Sequence, residues 1–113
     1  MIKNLANAEH YSWGNNCEGW HLVKTPQLSI IQERMPAGAA EKIHYHRVAQ
    51  QFFYIISGTA TFLVNGAMYT VQAQNGLHIL PGQHHQILNH TTNDLLFTVT
   101  SQPTSHGDRL ELE

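Results

Sequence analysis

An all-β domain is the fold class that the sequence predicts, and three observations predict it. From Leu28 onward the apolar residues fall in short runs rich in Ile, Val, Phe, Tyr and Thr, separated by Gly, Pro or Asn at close intervals. No stretch there has helical length. Turn signals recur between the runs, and Asn65-Gly66 is the strongest: a tight primed hairpin turn needs positive φ at both central residues, which Asn and Gly tolerate.

Residues 1 to 27 are mixed in character, with Trp13, Trp20 and the turn-prone Gly14, Asn15 and Asn16 before Pro26 closes the segment. They read as an arm with short strands ahead of a barrel domain over residues 28 to 113, a single domain overall. The barrel strands are expected at Leu28 to Met35, Glu41 to Arg47, Gln51 to Ser57, Thr59 to Val64, Met68 to Gln72, Leu77 to Leu80, His85 to Asn89 and Leu95 to Thr100. Gly58 and Pro81-Gly82 mark further bends. Phe52 to Ile56 is apolar on both faces, as expected where one face lines a barrel and the other is covered by a second sheet or subunit.

With 113 residues there is room for one compact domain and one site. Charged residues make up 12% of the chain and the net charge is -2, so no basic field exists to hold phosphates or anionic lipid. That argues against nucleic acid and membrane as partners. No run approaches membrane-spanning or signal-sequence length, and the lone Cys17 allows no internal disulfide; a cytoplasmic setting is the expectation. The nine histidines outnumber the six Lys and Arg, so their placement matters.

His44 and His46 lie two residues apart in a strand-like context, and the period-2 alternation of a strand sends both imidazoles to one face, within reach of one ion. Gln51 begins the next strand, and His85 follows the Pro81-Gly82 bend, so three separated strands can converge on one metal. This constellation resembles the cupin superfamily. The family's first motif, Gly, five residues, His-x-His, three or four residues, Glu, six residues, Gly, is matched by Gly38, His44, His46, Gln51 and Gly58. Its second ends Pro-x-Gly-x-x-His-x-x-x-Asn, matched by Gly82, His85 and Asn89, with Leu80 in the proline position and Pro81 beside it. The Gly that opens that motif falls on Gln74, with Gly76 two residues late. The resemblance spans Gly38 to Asn89 and implies a double-stranded β-helix, or jelly-roll, barrel. Small cupins of this kind are commonly dimers packed through the outer sheet and the N-terminal arm, so a homodimer is implied as well.

The resemblance makes His44, His46 and His85 metal ligands, with Gln51 in the position where the family usually has a carboxylate. An amide is neutral, so such a site carries one more positive charge and open coordination positions. The alternative for Gln51 is a residue that hydrogen-bonds nearby without touching metal. One divalent transition ion, Fe, Ni, Mn, Co, Cu or Zn, suits the set. His78 alternates in phase with Leu80 and is a candidate acid/base group facing the cavity, while His84 points away if His85 points in. His10, His21, His90 and His106 read as solvated. Parity with Gln51 puts Phe53 on the cavity wall, and parity with His44 puts Lys42 at the rim, where it could orient an anionic ligand. Asp108 and Arg109 read as a surface pair or dimer contact.

The function expected first is a metal-dependent, dioxygenase-like enzyme acting on a small organic molecule held in the barrel, as three-His cupin sites imply. A metal-dependent isomerase or lyase, with His78 or Lys42 moving the proton, is the second expectation. A non-catalytic small-ligand binder or sensor is the third, since one barrel hosts many functions.

Overall fold

The computed structural model describes residues 1–112. Eleven strands follow in chain order: β1 (Glu9–Trp13), β2 (Cys17–Lys24), β3 (Ser29–Met35), β4 (His44–His46), β5 (Gln50–Ser57), β6 (Thr59–Val64), β7 (Ala67–Gln72), β8 (Gly76–Ile79), β9 (His85–Leu88), β10 (Leu95–Gln102) and β11 (Arg109–Glu111). They form two antiparallel sheets, β1-β2-β3-β10-β5-β8 and β11-β4-β9-β6-β7. The chain is therefore all-β, a double-stranded β-helix with no helix among the described residues.

The core lies between the sheets because alternation sends every second residue inward. On β5, Phe53 and Ile55 are buried while Phe52, Tyr54 and Ile56 are exposed, and on β10 Leu95, Phe97 and Val99 join Phe53 and Phe62 in one apolar cluster. The Asn65-Gly66 turn has φ of 47° and 86°, the primed geometry that its residues favour, and it sets the β6–β7 register from Val64↔Ala67 to Thr59↔Gln72. Gln74 occupies the left-handed region at φ 68°, the conformation a Gly would supply at that motif position.

The first 27 residues supply β1 and β2, strands of the kind expected of the arm, and these extend the six-stranded sheet through β3. Two elements differ from the sequence expectation. Residues 41 to 43 are not strand: β4 begins only at His44. Near the C-terminus, β11 adds to β4 with Arg109 opposite His46 and Glu111 opposite His44. With three residues β11 carries no periodicity of its own and owes its strand form to the edge it pairs with.

Candidate metal centre

His44 and His46 project from β4 to the inside and are almost fully buried, at 3% and 4% exposure. Tyr45 between them points out and stacks on His84 across the sheet, at 4.8 Å between ring centroids. His85 lies opposite His44 in the β4–β9 pair. The three imidazoles form one group, their ligand atoms all within 4.8 Å of one another. From the facing sheet, Gln51 on β5 lines the same cavity as His44 and His46, buried and opposite Ser101.

Hydrogen bonds fix which atoms face inward. His44 Nδ1 meets the Lys42 carbonyl at 2.8 Å and His85 Nδ1 meets the Gln83 carbonyl at 2.9 Å. A carbonyl only accepts, so both Nδ1 atoms carry the proton and both Nε2 lone pairs are left free. Gln51 donates through Nε2 to Ser101 Oγ at 3.0 Å, which leaves its Oε1 without a hydrogen-bond partner. Four of the buried polar atoms without a partner among the described residues belong to this set: His46 Nδ1 and Nε2, His85 Nε2 and Gln51 Oε1. Buried lone pairs of this kind are rare in folded proteins and costly unless something engages them. Three neutral nitrogens and an amide oxygen are the donor set of a borderline divalent ion, so these residues fit one.

Burial also puts the imidazoles in the right protonation state. Desolvation pulls the His44 pKa down to about 3, against the opposing pull of the Lys42 carbonyl, and the His85 pKa to about 4. His46 is lowered by burial too. All three are neutral at physiological pH, the form that binds a metal.

His44, His46 and Gln51 open onto a cavity of about 340 Å³. Its walls carry Phe53, as the sequence parity places it, then Tyr11, Glu33 and Glu41, which sequence reasoning did not assign, and also Arg109 and His106, which it read as surface residues. Burial raises the Glu33 carboxyl to about 7 and the Glu41 carboxyl to about 8, with Arg109 pulling both down. Glu33 had a legible signal, a carboxylate at the parity of Ile31 and Met35 on an otherwise apolar face. Glu41 did not, because a strand through residue 41 would turn it outward. Tyr11 and Arg109 lie on strands that the sequence did not mark.

Two candidates fall elsewhere. His78 is exposed on β8, opposite Phe52 on the outer face, and its Nε2 meets Gln50 Oε1 at 2.9 Å. It does not face the cavity, because Ile79 rather than His78 takes the inward position. Lys42 is 79% exposed in its side chain and lies 4.0 Å from Glu111. Because residues 41 to 43 are irregular, its parity with His44 does not hold. Asp108 and Arg109 also differ from a simple surface pair. Asp108 accepts the backbone N–H groups of Arg47, Val48 and Ala49, and Arg109 reaches Glu41 at 3.8 Å and Glu111 at 3.2 Å.

A family model described as a cupin domain matches residues 31–101. The chain belongs to the cupin family. A search of curated proteins finds no match. Among solved structures, KdgF from Halomonas sp. aligns with TM-score 0.85 at 14% identity, covering 95% of this chain and 98% of that one. A predicted oxalate decarboxylase from Thermotoga maritima aligns at 0.82 with 21% identity, over 92% and 100%. A cupin-superfamily sugar phosphate isomerase from Silicibacter pomeroyi aligns at 0.80 with 18% identity, over 92% and 76%. At these identities the likeness establishes the cupin barrel and leaves chemistry to the site itself.

Proposed function

We propose that this cupin is a metal-dependent isomerase or lyase that moves protons on a small carbonyl compound held in the barrel. The observation that carries the reading is the His44-His46-His85 group, two of whose members open with Gln51 onto one cavity that also carries ionisable wall groups. A divalent ion held by these four residues would act as a Lewis acid on a substrate oxygen. The chain's own residues do the rest. Phe53 and the apolar wall exclude water, and carboxyls raised to about 7 and 8 can take up and release protons near neutral pH. The same barrel carries a sugar phosphate isomerase and a predicted oxalate decarboxylase among the solved structures, so the fold accommodates the proposed reaction class without selecting it.

A dioxygenase-like activity is the second reading, favoured by the neutral Gln51 in place of a carboxylate, which leaves the centre more cationic and more open to anionic substrates. The two differ in their need for oxygen. Metal analysis of untagged protein purified without chelators, set beside His85→Ala, tests the centre: the wild type carries stoichiometric metal and the variant loses it. Unchanged metal in His85→Ala overturns the site. Proton exchange into carbonyl compounds under anaerobic conditions supports the first reading, and oxygen uptake with the same compounds supports the second.

A further inference from the structure

One row across the six-stranded sheet has a built character. Tyr11 on β1 is opposite Gly19 on β2, and Gly19 is opposite Glu33 on β3. The Tyr11 ring lies across the space where residue 19 has no side chain, and its hydroxyl donates to Glu33 Oε2 at 2.5 Å. A Cβ at position 19 would overlap the Tyr11 ring atoms, so glycine is what allows the phenol to reach across a whole strand. Glu33 Oε1 accepts no hydrogen bond from any described residue, and Glu33 and Tyr11 line the same cavity as His44, His46 and Gln51.

Resting on the proton-transfer reading above, we propose that Glu33 is the acid–base residue of this cavity and that Tyr11, reaching over Gly19, is the residue that positions it. The other cavity carboxyl is committed elsewhere: Glu41 accepts the Ile87 N–H at 3.2 Å and lies 3.8 Å from Arg109 and 3.9 Å from His44 Nδ1. Glu33 has one oxygen held by a phenol and the other open to a ligand.

The chemistry fits an α-hydroxy carbonyl compound. Glu33 Oε1 takes the proton from the hydroxyl-bearing carbon: the C–H bond breaks, an O–H bond forms on the carboxyl, and the electron pair moves onto the carbonyl oxygen. Glu33 then returns the proton to the former carbonyl carbon, while the hydroxyl proton passes between the two adjacent oxygens. One carbon is oxidised as its neighbour is reduced, so no outside reductant enters. Tyr11 holds Oε2 throughout and touches no reacting atom.

The ionisable groups around Glu33 are Tyr11 from β1, Cys17 from β2, Arg109 from β11 and Glu41 from the segment before β4, with His44, His46 and His106 lining the same cavity, while its partner on β10 is the apolar Phe97. Burial holds the Glu33 carboxyl at about 7, and the Tyr11 hydrogen bond works against that rise. The Tyr11 phenol is itself pushed far up by burial and by Glu33, so it stays a donor.

The test uses the Zn(II)-loaded full chain with Glu33→Gln and Tyr11→Phe. In carboxyl-labelled protein, carbon NMR should show one resonance titrating well above the usual carboxylate range, lost in Glu33→Gln and moved higher in Tyr11→Phe. Hydroxyacetone in D2O is the exchange probe. Glu33→Gln should cut deuterium incorporation next to the carbonyl by about 100-fold or more at unchanged zinc content. A Glu33 titrating in the ordinary carboxylate range, or a Glu33→Gln rate within threefold of wild type, overturns the assignment and leaves the proton-transfer reading standing. If wild type gives no exchange beyond Zn(II) alone, that reading fails and the assignment falls with it.

Discussion

Replacing Asp108 by Ala should both destabilise the fold and loosen the metal centre, because one carboxylate ties the C-terminal strand to the loop between two of the proposed ligands. Asp108 Oδ2 accepts from Ala49 N at 2.9 Å and Val48 N at 3.0 Å, and Oδ1 from Arg47 N at 3.2 Å. That loop joins His46 at the end of β4 to Gln51 near the start of β5. Hydrogen bonds to a charged group contribute about 1.5 to 3 kcal/mol each when well buried; for a carboxylate in contact with water about 1 kcal/mol each is the better figure, or ~3 kcal/mol in all. For a chain of this size that is a fall in Tm of roughly 12 °C. The Asp108→Asn variant keeps one acceptor oxygen and should lose about half as much. The pH dependence has a definite sign. The Ala49, Val48 and Arg47 N–H groups lower the folded pKa of Asp108 from the usual 3.8, so its contribution is complete above that value and is lost as pH falls through the folded value. Urea unfolding of wild type, Asp108→Ala and Asp108→Asn at neutral and acid pH measures this, and metal competition measures the second effect, a weakening of about 10-fold. A loss below ~0.5 kcal/mol with unchanged metal affinity would refute the clamp.

The metal-free protein should be most stable between pH 4.5 and 6.5, toward the upper end of that window. Burial lowers the folded pKa of all three imidazoles below the unfolded 6.5, His44 to about 3 and His85 to about 4, so their contribution drops as pH falls below 6.5. Glu33 and Glu41 act the opposite way, holding protons in the folded state up to about 7 and about 8, so their contribution declines as pH rises from 4.5 through that range. Chemical denaturation in a chelator across this range should show a maximum, and a steady rise from pH 6.5 to 8 would contradict it. Gln51→Glu should tighten divalent metal binding by about 10-fold by adding a charged ligand, while costing the metal-free fold ~1 to 3 kcal/mol for a buried charge; calorimetric titration and thermal unfolding separate the two. Gln74→Gly should raise stability by about 1 kcal/mol by relieving a left-handed non-glycine residue, read as a higher Tm. Asn89→Ala should cost at least ~3 kcal/mol in urea unfolding, since its amide donates to Met35 O and Asn93 O and accepts from Thr91 N and Oγ1.

By itself the sequence determined the all-β character and the pairing of His44 with His46. Both rest on short-range rules: alternation fixes which side chains point inward on Gln51 to Ile55 and on His44 to His46, and Asn65-Gly66 fixes a hairpin. The barrel and the place of His85 and Gln51 beside that pair came from the resemblance to the cupin motifs. Tertiary structure decided what surrounds the histidines. Alternation cannot continue through residues 41 to 43, which leave the strand, so Lys42 lies outside the cavity and Glu41 inside it. Nor can it set the phase of a four-residue strand, which is why His78 faces outward beside the inward Ile79. Tyr11, Arg109 and Asp108 reach the centre on edge strands and a turn that long-range pairing creates, between residues far apart in the chain. The unpartnered lone pairs of His46, His85 and Gln51 are a property of the packed interior alone. Spacing can bring these residues together, but only the packed interior leaves His46 Nδ1 and Nε2, His85 Nε2 and Gln51 Oε1 buried without a hydrogen-bond partner.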